Sequence, residues 1–132
     1  MQYIGIDFGT SNSLASLVKN NQIEFVHYPD KNISNPTILY FPAKSKQVYI
    51  GNEGVERYLT NLEESGIGGR LMLSIKTLLP DAKFDYTLVT GHGRLNSEDL
   101  VAKFLSQLRL MAEKQFAERF DGVSFGATRR FF

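Results

Sequence analysis

Apolar positions come first in short runs broken by turn residues and later at helical spacing, and this change of rhythm lays out the elements. Residues 3–7 are near-continuously apolar up to Asp7, as in a strand covered on both faces. Residues 14–18 form a second run. Lys19-Asn20-Asn21-Gln22 reads as a hairpin turn into a third strand, residues 23–28, which Pro29-Asp30-Lys31-Asn32 ends. Beyond Asn35-Pro36, residues 37–41 are β-branched and aromatic and predict another strand. Lys44-Ser45-Lys46-Gln47 then turns the chain into Val48-Tyr49-Ile50.

The middle of the chain changes period. Asn52 is placed to cap a helix over residues 53–62, with Val55, Tyr58, Leu59 and Leu62 on one face and the glycines of residues 66–69 ending it. Residues 70–79 predict a short second helix stopped by Pro80. Residues 84–89 predict a strand and Thr90-Gly91-His92-Gly93 a turn. The strongest helical signal follows. Asn96 or Ser97 caps it, and Glu98 and Asp99 suit the positive end of its dipole. Leu100, Val101, Phe104, Leu105, Leu108, Met111, Ala112 and Phe116 make one apolar stripe, best read as core. Residues 123–126 predict a final strand returning to the first sheet. The sum is an α/β fold with a mixed sheet: a three-stranded meander, a small inserted lobe, a long helix and a returning strand.

Composition narrows the function. With 132 residues, of which 42% are hydrophobic, one domain with a real core is expected. A net charge of +1 and no run of basic residues exclude charge-driven binding to nucleic acid or a membrane surface. The absence of cysteine excludes disulfides and thiolate metal sites, and His27 and His92 make no zinc spacing. No apolar run approaches the roughly 20 residues of a membrane span, and no signal peptide is expected ahead of the first strand. The chain reads as soluble and cytoplasmic.

The chemistry concentrates between the first two strands. Tyr3-Ile4-Gly5-Ile6-Asp7 runs into Phe8-Gly9-Thr10-Ser11-Asn12-Ser13, an apolar strand with a buried aspartate at its end and a turn of small polar residues. Backbone amides in such a turn hold phosphate oxygens, and a carboxylate at its mouth holds a hydrated Mg²⁺. The same residues also simply make tight turns, since glycine tolerates unusual dihedrals and Asp, Thr and Ser bond back to the backbone. Neither a Gly-rich lysine loop of the P-loop kind nor a Gly-x-Gly-x-x-Gly fingerprint occurs.

Residues 4–13 resemble the first phosphate loop of the actin, sugar-kinase and heat-shock chaperone ATPase superfamily. Later landmarks are most similar to the seventy-kilodalton heat-shock chaperones of the DnaK type. Asn35-Pro36-Thr37-Ile38 resembles their Thr-Pro-Ser strand entry, and Tyr49-Ile50-Gly51-Asn52-Glu53-Gly54 their Ile-Gly-Asp segment. Ser74-Ile75-Lys76-Thr77-Leu78-Leu79 resembles their Ala-Lys-Arg-Leu-Ile, Ser97-Glu98-Asp99-Leu100 the opening of their long helix, and residues 123–127 their Val-Val-Thr-Val-Pro strand. The divergence points to a YegD-like bacterial relative.

The resemblance implies a ribonuclease H-like, actin-like ATPase N-terminal lobe. Its core sheet and helix would come from about residues 1–35 and 95–132, with a small α+β subdomain inserted over about 36–94. It implies ATP or ADP with Mg²⁺ as cofactors, and client proteins as partners through regions outside this chain. Asp7 would face Mg²⁺ through water. Gly9, Thr10, Ser11 and Asn12 would hold the β- and γ-phosphates. Lys76 would position the attacking water and offset charge on the γ-phosphate. Read without the resemblance, Lys76 is a solvated lysine. Asn12 stands where many of these chaperones have an aromatic residue, and Thr77 replaces their arginine after the lysine. The family's second phosphate loop, adenosine motif and peptide-binding domain are not in these residues, so an N-terminal fragment supplying half of a nucleotide cleft, inactive alone, is expected. The alternatives are a piece of a sugar kinase or an actin-like protein, or a non-catalytic interaction module.

Overall fold

In the computed structural model, which describes residues 2–75 and 86–125, β1 (Tyr3–Phe8) and β2 (Asn12–Lys19) pair antiparallel, with Gly5 opposite Ser16 and Asp7 opposite Leu14. Asn20 and Asn21 both take positive φ in the next turn, the conformation that matches the twist of a two-residue hairpin. β3 (Gln22–Phe25) therefore returns along β2. On the far side of β1 lies β10 (Gly122–Phe125), parallel to it, with Tyr3 opposite Gly122. β4 (Ser34–Pro36) pairs with the first half of β2 and completes a mixed five-stranded sheet.

A second sheet is antiparallel, in the order β6 (Tyr49–Ile50), β5 (Leu39–Phe41), β7 (Arg70–Met72). A separate hairpin joins β8 (Thr87–Val89) to β9 (Gly93–Leu95). Two helices are described, α1 (Gly51–Ser65) and α2 (Ser97–Phe116). The mixed α/β character predicted from the pattern is what the chain adopts.

α2 is where pattern, cap and core agree. Asn96 accepts the Asp99 amide and Asp99 accepts the Asn96 amide, a reciprocal capping box. The helix buries Leu100, Val101, Phe104, Leu108 and Ala112 in one core with Ile4, Ile6 and Phe8 of β1 and Ala15 and Leu17 of β2. The Phe8 and Phe104 rings meet at 5.6 Å. Each fully buried aliphatic or aromatic side chain contributes about 1.5–3 kcal/mol, so this contact is the main tie between the first sheet and the helix.

Several expectations need correction. β1 is covered on one face only. Ile4, Ile6 and Phe8 are buried, whereas Tyr3 and Asp7 are exposed. α2 packs against the Ile4 face. On the other face Tyr3, Val18 and Ile23 form an exposed apolar row across three strands. The third strand ends at Phe25: the Val26 amide still donates to the Ala15 carbonyl, but the Tyr28 amide turns to the Asn32 carbonyl, and β4 takes over the pairing with the first half of β2.

Residues 37–41 do not form one strand. Thr37 and Ile38 carry the chain from the first sheet to the second, and only Leu39–Phe41 is strand. Arg70–Met72 is a strand, not the start of a helix. Gly69, at positive φ, lies so close to the Phe41 carbonyl that even a Cβ would clash, and it delivers Arg70 into the ladder with β5. Residues 76–79 of that predicted helix lie outside the described residues, as do residues 84–85 and 126 of two predicted strands.

Asn52 is not the cap of α1. Ile50 occupies that position without a side-chain bond, and the Asn52 amide is accepted by Asn35 Oδ1 at 2.7 Å.

A candidate phosphate-binding turn

The turn between β1 and β2 is closed by its own carbonyls. The Gly9 amide donates to the Asn12 carbonyl at 3.0 Å. A Cβ on Gly9 would sit 2.4 Å from that oxygen, so only glycine fits. Thr37, arriving from β4, donates its amide to the Ser11 carbonyl at 2.9 Å and its hydroxyl to the Gly9 carbonyl at 2.8 Å. Ser13 Oγ lies 2.7 Å from Thr37 Oγ1, and the Tyr28 hydroxyl donates to the Ser13 carbonyl at 2.8 Å. Burial, with Asp30 second, holds the Tyr28 phenol neutral well above its ordinary range, as suits a donor.

The carbonyls of Gly9, Ser11 and Asn12 are thus all engaged, while Thr10, Ser11 and Asn12 are exposed. Among the described residues no protein acceptor takes the Thr10 or Ser11 amide. The donor set fits an anion such as a phosphate, whose oxygens would supply the acceptors that the protein withholds. Asp7 is exposed two residues before Gly9, on the opposite face of the sheet from α2. The structure therefore brings five of the six expected site residues into one short segment, Asp7 and Gly9 to Asn12. Lys76 lies outside the described residues; Ile75 before it is buried in the core.

A second polar cluster lies next to this turn in the fold. The Asp30 carboxylate accepts from the Asn32 amide and from the side-chain amides of Asn32, Asn35 and Asn52. These bonds, led by that from Asn52, hold its pKa at about 2. Asn35 Oδ1 in turn accepts from the first turn of α1, and Gly51, at positive φ, leaves it room, since a Cβ there would be 2.4 Å away. The cluster ties β4 to α1.

The remaining candidates fall elsewhere. A groove of about 1010 Å³ runs between Tyr28 and Tyr49 on one side and Leu110 and Met111 of α2 on the other, and none of the expected site residues lines it. His27 is exposed beside Gln115. His92 packs edge-on to Phe41, and burial with Lys103 and Lys46 lowers its pKa. Among the described residues no group of three side chains is placed to hold a metal ion, and no helix is long and apolar enough to cross a membrane.

Sequence reading gave no site role to Ser13, Tyr28, Asp30, Asn35 or Thr37. The signals were there: Asp30-Lys31-Asn32 has the spacing at which aspartate bonds its own backbone two residues on, and Thr37 is a polar residue after proline at the head of an apolar run.

No protein-family model matches the chain. Among curated proteins, the chaperone DnaK of Mesomycoplasma hyopneumoniae strain J is 27% identical over 116 residues, which cover 88% of this chain and 17% of that protein. The chaperone HscA homologue of Actinobacillus pleuropneumoniae serotype 5b is 23% identical over 131 residues, 91% of this chain and 21% of that protein. The HscA homologue of Pseudoalteromonas atlantica is 26% identical over 133 residues, with the same coverage of 91% and 21%. The chain spans about a fifth of the length of the curated relatives it matches.

Proposed function

We propose, from the premise that this chain belongs with the DnaK and HscA chaperones of the seventy-kilodalton heat-shock family, that it supplies the first phosphate loop of a chaperone-type ATPase domain. The observation that carries the proposal is the turn over residues 9–12. The carbonyls of Gly9, Ser11 and Asn12 are held by the protein, the Thr10 and Ser11 amides have no protein acceptor among the described residues, and an exposed carboxylate, Asp7, lies two residues before Gly9.

On this reading the fold is the ribonuclease H-like N-terminal lobe of an actin-like ATPase. Its core would be built from about residues 1–35 and 95–132, with a subdomain over about 36–94. Gly9 permits close approach of a phosphate, the amides of Thr10, Ser11 and Asn12 donate to its oxygens, and Asp7 holds the water shell of Mg²⁺. Bound Mg²⁺ would offset the charge of the phosphates. Lys76 would orient the attacking water and stabilise charge on the γ-phosphate. ATP and ADP are the ligands, the setting is cytoplasmic, and client proteins would be engaged by regions outside this chain.

A single phosphate loop encloses a nucleotide on one side only, so affinity should be weak. Titration of the isotopically labelled chain with Mg-ATP should move the Thr10, Ser11 and Asn12 amide resonances with a Kd of about 1 mM or weaker, on the order of 4 kcal/mol. Unmoved turn resonances at ten times that concentration would overturn the proposal. In the longer ATPase that this reading implies, Lys76→Ala should slow hydrolysis at least about 100-fold, the usual scale for one electrostatic group, while nucleotide affinity changes little. Unchanged single-turnover hydrolysis would remove Lys76 from the mechanism.

A further inference from the structure

We propose that Thr37 is the positioning residue of the phosphate turn, a proposal that rests on the reading above. The argument begins with one hydrogen. A threonine hydroxyl has a single proton to donate, and Thr37 gives it to the Gly9 carbonyl at 2.8 Å. The 2.7 Å contact between Ser13 Oγ and Thr37 Oγ1 must therefore run from Ser13 to Thr37. The result is a directed relay from the Ser13 hydroxyl through the Thr37 hydroxyl to the Gly9 carbonyl. Ser13 and Thr37 are each only 1% exposed, so water does not substitute for either bond.

Peptide planarity turns this relay into a device for aiming amides. In a trans peptide the C=O of one residue and the N–H of the next point in opposite directions. Drawing the Gly9 carbonyl onto the Thr37 hydroxyl aims the Thr10 amide away from Thr37. Drawing the Ser11 carbonyl onto the Thr37 amide does the same for the Asn12 amide. One buried residue thus fixes two of the turn's peptide planes, those that carry the Thr10 and Asn12 amides. Thr37 touches no phosphate itself and acts only through Gly9 and Ser11. Two residues before it, Asn35 is fastened to Asp30 and to the first turn of α1, so the strap is anchored at its far end.

The test uses the labelled 132-residue chain and inorganic tripolyphosphate as the probe, with Thr37→Val, Thr37→Ser and Ser13→Ala compared by amide shifts of residues 10–12, Gly9 amide exchange and urea midpoint. Thr37→Val keeps the shape but orphans the Gly9 carbonyl and the Ser13 hydroxyl. It should weaken the tripolyphosphate response about tenfold, the worth of a buried hydrogen bond, and hasten Gly9 exchange. Thr37→Ser keeps the hydroxyl and should stay within about threefold of the parent, a rescue that packing alone does not produce. Ser13→Ala removes only the outer donor and should fall between the two.

Tripolyphosphate binding by Thr37→Val equal to that of the parent would overturn the proposal, as would an equal loss in Thr37→Ser. If the parent turn does not respond to tripolyphosphate, the phosphate-loop reading fails, and Gly9 exchange alone decides the positioning role: faster in Thr37→Val than in Thr37→Ser upholds it, equal rates overturn it. Should Thr37→Val not fold, Thr37→Cys, a weak donor of similar size, takes its place in the same comparison.

Discussion

Two clusters of small polar residues flank the segment from Ser34 to Thr37, and they use similar side chains in opposite ways. At Asp30 the carboxylate is surrounded by donors from Asn32, Asn35 and Asn52, and the carbonyl oxygen of the Asn35 side chain is spent on α1. Donors and acceptors cancel inside the cluster, and the result is a fastening. At residues 9–12 the protein takes up the Gly9, Ser11 and Asn12 carbonyls and leaves the Thr10 and Ser11 donors without a protein acceptor among the described residues. A cluster balanced within itself holds elements together. A cluster with a surplus of one sign of hydrogen bond, on an exposed turn, is suited to a ligand of the other sign.

The sharpest way to break this comparison is at Gly9. Gly9→Ala puts a methyl group 2.4 Å from the Asn12 carbonyl, and the turn must open to admit it. Urea unfolding should show a loss of about 3 kcal/mol, at the upper end for overpacking, and the anion response of the turn should vanish. A variant as stable as the parent, with its response intact, would mean that the turn is not held as described.

The next effect belongs to the fastening. Asn35→Ala removes the acceptor of the Asn52 amide and a donor to Asp30, and it should cost about 2 kcal/mol for the buried polar groups left unpaired. If the two clusters do different jobs, tripolyphosphate should still move the Thr10 and Ser11 resonances in the folded variant. Loss of that response with stability unchanged would reverse the assignment of roles.

The smallest effect is set by pH. Asp30 titrates at about 2 when folded, against about 3.9 for an unperturbed aspartate. A carboxylate with a depressed folded pKa adds stability that is present above its unfolded value and is lost as pH falls through the folded one. The urea midpoint should therefore decline between about pH 4 and pH 2, and the decline should be shallower in Asp30→Asn. Because Asp30 is exposed, solvent screening keeps the difference small. Identical pH profiles for parent and variant would show that the asparagines do not hold the charged form.

What was legible in the sequence was what local spacing dictates. The stripe from Leu100 to Ala112 and the capping residue Asn96 define α2 without any tertiary knowledge, and the small polar residues between Phe8 and Leu14 mark the turn. What was not legible depended on distant partners. Arg70 joins β5 because Gly69 nests on the Phe41 carbonyl, and no window around Arg70 contains Phe41. The break at Thr37 comes from bonds to Gly9 and Ser11. Asp7 looked buried because its neighbours are apolar, but its exposure follows from α2 lying on the other face of the sheet. The same limit hid the strap: Thr37 stands out in its own segment only as a polar residue after proline, and it acquires its partners only when β4 docks on β2.

The parallel pairing of β1 with β10 sets an order of events in folding. Tyr3 meets Gly122, and the Gln2 amide reaches the Asp121 carboxylate 119 residues away, while the Asp121 amide returns to the Gln2 carbonyl. The β1–β2–β3 meander has only short loops to close and is free to form early. The β10 edge must wait until nearly the whole segment has been synthesised and α2 has docked. Non-local pairing of this kind is slow, so β1 would keep an outer edge open to wrong partners until the residues of β10 have been synthesised and placed beside it.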